Sequence, residues 1–158
     1  MFNMKSIAKQ KLVLEQLDAK LSAFNSGSIV KRPDNGWLAV IRKALNMTLQ
    51  QFGNRLDTTA QGAKALEERE ANGSITLNAL KEAAAAVDMQ LVYALVPKDG
   101  SLEALIEKKA TMLAQQIVMR TSASMKLEDQ ENSSERLQKA IREKATELKN
   151  ELPKYLWE

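Results

Sequence analysis

The residues of this chain best placed to do chemistry lie between Thr48 and Arg69, and their types suit recognition of a polyanion rather than bond-making. Thr59, Ala60, Gln61, Gly62 and Lys64 stand at the start of a helix-prone stretch. Small side chains there allow close approach to base edges. Gln61 can bond adenine in a bidentate manner, and Lys64, one turn later, can reach guanine or phosphate. Thr48, Gln50, Gln51, Arg55 and Arg69 are candidates for contacts to backbone phosphates. Lys31 and Arg32 stand on a connector just ahead, where the basic arms of other DNA-binding motifs reach the neighbouring backbone or minor groove.

Catalysis finds few instruments here. The 158 residues include no His and no Cys. That excludes disulfides, thiol nucleophiles, Cys/His zinc sites and every His-based acid, base or triad. The carboxylates Glu67, Glu68 and Glu70 read as a solvated helix face. No enzymatic activity, cofactor or metal is expected. Aromatic residues make up 4%, too few for a base-stacking RNA platform.

Charge is more informative in its distribution than in its sum. The net +3 resolves into 6 basic and 3 acidic residues over 1–35, 6 and 6 over 36–96, and 11 and 11 over 97–158. The whole excess precedes the candidate contact residues, where it can meet phosphate or simply solvate a helix face. The longest apolar stretch, Leu91 to Pro97, is far shorter than the ~20 residues needed to span a bilayer, and no long apolar run follows the basic N-terminus. A cytoplasmic protein without membrane contact is expected, nucleoid-associated when bound to DNA.

The elements that must position these residues are helices. Ile7, Leu14, Leu17, Leu21 and Phe24 form one stripe on a helix from about Lys5 to Phe24, stopped by Asn25-Ser26-Gly27-Ser28. After a connector ending in the turn-like Asp34-Asn35-Gly36, four short helices are expected: Trp37 to Leu45, Leu49 to Leu56, Ala60 to Ala71, and Leu77 to Val87. Thr48, Thr59 and Thr76 are the N-caps. Asn72-Gly73 suits a C-cap. Gly53 is poor for helix propensity in mid-helix, which makes sense if another element crosses closely there. Two short helices joined by a tight turn at Asp57-Thr58 describe a helix-turn-helix, whose second helix lies in the DNA major groove.

Gln90 to Val96 changes period and is the one good strand candidate. A lone strand needs a partner for its backbone. The economical partner is the same strand of a second copy, with Leu91, Val92, Tyr93 and Leu95 as dimerising residues; a buried strand-like linker is the alternative. A helix from Ser101 to about Arg120 follows, then a polar linker from Thr121 to Ser133. A last amphipathic helix runs from Ser134 to Leu152. Tyr155-Leu156-Trp157 could dock on a partner or on the chain's own body. The division is thus 1–35 for the N-terminal helix and connector, 36–97 for the helix-turn-helix domain with strand 90–96, and 98–158 for C-terminal helices that extend toward a partner. The fold class is all-α with one short β-strand.

Residues 37–96 resemble the Xre-type, phage-repressor-like helix-turn-helix domain at Thr48, Phe52-Gly53, Leu56, Thr59, Ala63, Leu66-Glu67 and Thr76-Leu77-x-x-Leu80. More narrowly, the chain is similar over about residues 10–120 to the mobile mystery protein A family. The pieces are Arg32-Pro33-x-x-Gly36-Trp37-Leu38-x-x-Ile41-Arg42-x-Ala44-Leu45-x-Met47, Leu66-Glu67, Gly73-x-Ile75-Thr76-Leu77 and Leu91-Val92-Tyr93-Ala94-Leu95-Val96-Pro97. Members of that family accompany a Fic-domain protein. The resemblance implies a DNA-binding antitoxin and autoregulator of a toxin–antitoxin-like pair. Four positions depart from the pattern: Leu49 follows Thr48 where Gln is frequent, Lys64 and Ala65 replace Ser and Arg, and Asp57 replaces the turn Gly. Some Fic partners are silenced by a helix carrying Ser/Thr-x-x-x-Glu-Gly/Asn. Ser124 to Glu128 approaches that motif, but Asp129 fails its last position.

The expectation is therefore a homodimeric repressor on double-stranded DNA with a palindromic operator and a Fic-domain toxin as further partner. A stand-alone phage-type repressor and a toxin-masking interaction module are the alternatives.

Overall fold

A computed structural model of the chain describes residues 4–24, 30–127 and 134–158, with side chains omitted at 125–127. Among these the fold is all-α. Its helices are α1 (Met4–Leu21), α2 (Trp37–Ala44), α3 (Leu49–Arg55), α4 (Ala60–Asn72), α5 (Leu77–Ala86), α6 (Leu102–Leu127) and α7 (Ser134–Glu151). Short 3-10 turns stand at Ser22–Phe24 and Lys154–Trp157. The helix stop expected at 25–28 lies outside the described residues. The chain divides into two compact units, Ser28–Tyr93 and a discontinuous one made of Met1–Gly27 with Ala94–Glu158. The N-terminal helix and the C-terminal helices thus share a unit.

In the Ser28–Tyr93 unit the caps act as their residue types require. Thr48, Thr59 and Thr76 each accept from the backbone N–H three residues on, at 3.1, 3.0 and 3.1 Å. Gln51 answers Thr48 by accepting from its N–H at 2.8 Å, which completes a capping box. Gly73 ends α4 in the left-handed conformation. Leu38, Phe52, Ala63, Ala83 and Val87 form the core, lined by Ile41, Leu49, Leu56, Leu66 and Leu80.

Two carboxylates of α4 organise α2. Glu67 and Glu70 are 8% and 3% exposed, and so leave the solvated face on which the sequence pattern put them. Glu70 accepts from the backbone N–H groups of Trp37 and Leu38, at 2.7 and 2.8 Å, and satisfies the start of α2 in place of a local cap. Glu67 takes the guanidinium of the buried Arg42 through both oxygens, at 2.5 and 3.3 Å, while Arg42 also donates to the Met47 carbonyl at 2.8 Å. Gly36 makes room for this cap. Its φ is 79°, and a Cβ there would fall 2.6 Å from a Glu70 carboxylate oxygen.

The other unit rests on α6 and α7. Ion pairs from Lys149, near the end of α7, to Glu103 and Glu107 at the start of α6 show the two helices running antiparallel. Ala110 and Ala114 let the backbones approach over Ile106, Ile141, Leu148 and Leu156. Lys144 donates to Glu147 at 2.7 Å. That hydrogen bond raises its pKa above the ordinary lysine value; it outweighs a lowering by burial, and the Glu147 charge adds to the rise. Asp18 of α1 accepts from the N–H groups of Leu102 and Glu103, at 2.8 and 3.2 Å, and so caps α6 from a distant helix. No residue of α1 is buried; the stripe leaves Leu17 and Phe24 exposed and half-buries Ile7, Leu14 and Leu21.

One expectation changes here, and one open question is partly answered. α6 continues to Leu127 where a linker from Thr121 was expected; residues 128–133 lie outside the described residues. The polar run is tolerated in the helix because the Thr121 and Ser124 hydroxyls donate back to the carbonyls of Ile117 and Arg120, and Ser122 is buried. At the end of the chain Leu152 takes φ 47°, turning Pro153 and Leu156 into the core while Tyr155 and Trp157 stay exposed. That answers the docking question for Leu156 alone.

Arg42→Ala or Glu67→Ala leaves a buried charge without its partner, at an expected cost of about 3–5 kcal/mol. Replacing the pair together by Arg42→Met and Glu67→Leu should recover most of that loss, since the desolvation of both charges is removed with them. Urea unfolding with amide exchange resolved to α2 checks both arms; a double variant no better than the singles would contradict the account.

Candidate nucleic-acid interface

The residues expected to contact DNA sit on or around α3 and α4, which meet through the turn Leu56–Thr59. Asp57 adopts φ 53°, the left-handed conformation that replacing a turn Gly demands and that Asp tolerates. It brings the Thr58 N–H back to the Gly53 carbonyl at 2.9 Å, just after the Leu56 N–H has closed α3 on the Phe52 carbonyl at 3.2 Å. Gly53 is buried against the turn itself. A Cβ there would lie 2.8 Å from the Thr59 carbonyl oxygen and 2.9 Å from that of Thr58. The close crossing expected at Gly53 is therefore a contact with the backbone entering α4.

Burial sorts α4 into two faces. Ala63, Glu67 and Glu70 recur at helical spacing and are buried. Gln61, Lys64, Ala65, Glu68 and Arg69 are exposed on the other side, and Ala60 is half-buried. Lys64 has a loose neighbour in Glu68, with Nζ 4.0 Å from its carboxylate. Gln61 and Arg69 make no side-chain hydrogen bond to a described residue. The exposed face thus offers an amide, a short side chain and two cations in successive turns, with one carboxylate among them.

Other candidates are engaged by the protein itself. The hydroxyl of Thr48 and the amide oxygen of Gln51 belong to the capping box, although Gln51 as a whole is exposed. Gln50 donates to Asn54 at 2.9 Å. Arg55 donates to the Ala86 carbonyl and to Asp88, at 3.1 and 2.9 Å, on the end of α5. Arg32 donates to the carbonyls of Glu70 and Ala71, at 2.5 and 2.9 Å, so it secures the last turn of α4. Lys31 is exposed and makes no side-chain bond to a described residue. The four dimerisation candidates lie on a segment that forms no strand ladder with any described residue. Leu91 is half-buried, while Val92, Tyr93 and Leu95 are 66%, 69% and 85% exposed, so the segment is no buried linker.

Sequence reasoning missed Glu67 and Glu70. The available signal was their spacing: 63, 67 and 70 share one face of α4, and Arg42 stands one turn beyond Leu38 on the inner face of α2. Glu128 and Asp129, which complete the segment compared with Fic-silencing helices, lie outside the described residues. Among the described residues no group of three or more Asp and Glu side chains could hold a metal ion, and no helix is long and apolar enough to cross a membrane.

Compared with family models, curated proteins and solved structures, the chain gives no match.

Gly53→Ala should destabilise the Ser28–Tyr93 unit by about 1–3 kcal/mol, because rigid backbone oxygens meet the new methyl group. On helix propensity alone the same change would stabilise by up to about 1 kcal/mol, so the sign of the shift in urea midpoint decides between the two.

Proposed function

We propose that this protein is a homodimeric, sequence-specific DNA-binding repressor of the Xre helix-turn-helix type, acting as antitoxin and autoregulator beside a Fic-domain partner. The observation that carries the DNA reading is the two-faced α4. One side is anchored through buried Glu67 and Glu70, and the other leaves Gln61, Lys64 and Arg69 exposed beyond a small-residue start. Such a helix presents fixed groups to a major groove with little reorganisation. The tight Leu56–Thr59 turn supports the same reading.

In this reading Thr59, Ala60, Gln61 and Lys64 face base edges. Arg69, Lys31, Gln50 and the exposed Gln51 are the phosphate contacts, with Thr48, Arg55 and Arg32 acting mainly on the protein. Pairing of the 91–96 segments of two copies, through the exposed Val92, Tyr93 and Leu95, supplies the partner strand and sets half-site spacing on a palindromic operator. The toxin partner rests on the resemblance to mobile mystery protein A.

Titration of the full chain against the DNA upstream of its own gene, at several salt concentrations, tests the proposal. Saturable binding with a steep salt dependence and a dimeric stoichiometry is expected. Lys64→Ala should weaken specific binding by roughly 1–3 kcal/mol if it reads a base. A uniform loss on every duplex, with a salt slope lower by about 1, would make it a phosphate contact instead. No binding to that DNA or to any site selected from a random pool would sink the repressor reading.

A further inference from the structure

The exposed face of α4 carries a residue that phosphate binding alone does not explain. Glu68 is exposed, and its carboxylate lies 4.0 Å from the Lys64 ammonium. Gln61, Lys64 or Ala65, and Glu68 follow one another at single-turn steps, so they present one stripe. A duplex close enough to be held by Lys64 therefore meets Glu68 as well. The pair is a weak one: both side chains are solvated, and Lys preceding Glu by one turn opposes the helix dipole. It does little for the fold. The two other acids of the same helix are buried and bonded, at Glu67 and Glu70.

A carboxylate on a surface that approaches DNA has two possible effects. Near phosphates it is repelled, on every sequence alike. Opposite a base amino group it accepts a hydrogen bond, and cytosine N4 is the major-groove donor to which Glu pairs. The first effect lowers non-specific affinity, and the second restores affinity only at suitable sites. Their combination raises the ratio of specific to non-specific binding without adding contacts.

We propose that Glu68 is a specificity-determining residue of the α4 face, excluding duplexes that offer only phosphate and favouring half-sites that place a cytosine amino group opposite it. This rests on the DNA reading above and names the base class that one of its residues selects. Lys64 then exchanges its loose bond to Glu68 for guanine or phosphate when the complex forms, and Glu68 exchanges the ammonium for the cytosine amine.

The test is selection of binding sites from a randomised duplex pool by the full chain and by Glu68→Gln and Glu68→Ala, with affinities measured for the selected site and for a scrambled duplex. The wild type is expected to enrich one cytosine column per half-site. In Glu68→Gln that column should disappear or change to adenine while the others persist, and scrambled-duplex affinity should rise by several-fold. The specificity ratio should fall by about tenfold in both variants. An unchanged motif and ratio in both variants overturns this proposal and leaves the DNA reading standing. A wild type that selects no motif overturns the DNA reading, and this proposal with it. Unaltered helix content and melting in both variants shows that a changed motif is not a folding defect.

Discussion

The Ser28–Tyr93 unit depends on the grip that α4 takes on α2. Glu70 binds the free N–H groups at the start of α2, and Glu67 binds Arg42 near its end. The two carboxylates stand three residues apart on α4 and hold α2 at two points, which fixes both its position and its rotation. Both ends of the bond system are buried, so each partner is worth more intact than its pair energy suggests, because losing one strands the other. Gly36 is required by the same arrangement, since any side chain there would occupy the place of the Glu70 carboxylate. Arg32 extends it by bonding the carbonyls of the last α4 turn, next to the residue that caps α2.

This anchoring decides what α4 can offer on its other side. A short helix in water frays, and most of its order comes from packing. With Ala63, Glu67 and Glu70 held inside, the outward Gln61, Lys64, Glu68 and Arg69 are carried on a helix whose orientation is set by several buried bonds. The turn adds to that rigidity: Gly53 lets the Thr58–Thr59 backbone approach within a distance at which no side chain fits. Recognition of a patterned surface needs groups held in place before binding, since ordering them afterwards costs affinity. The same economy applies to α6, whose start is capped by Asp18 from a helix far away in sequence.

Much of the secondary structure was legible in the sequence. The three Thr caps, the Asn72-Gly73 stop and the left-handed Asp57 follow from local chemistry, where side chain and backbone lie within a few residues of each other. The candidate surface was partly legible: Gln61, Lys64 and Arg69 are exposed as their types suggest. A polar side chain near the right place looks free in a sequence, yet Thr48 is held by the Gln51 N–H of the helix it caps, Arg32 by carbonyls of α4, and Arg55 by the Ala86 carbonyl and the Asp88 carboxylate. The linker expected after Arg120 failed for a related reason, since Ser and Thr resemble a loop until their hydroxyls return to carbonyls of the same helix.

Residue types and their spacing are enough to place every helix of the described residues to within a few residues, save the last two turns of α6, and to exclude His and Cys chemistry. Those follow from periodicity, caps and composition, all of them short-range or additive. Packing, by contrast, settles which of Glu67, Glu68 and Glu70 belong to the core and which to the surface. It alone joined α1 to α6 and α7, and it alone left Val92, Tyr93 and Leu95 without cover. Three carboxylates on one helix are alike as residue types. They become a cap, an ion pair and a solvent-facing charge only when α2 arrives and a single face of α4 is withdrawn from water.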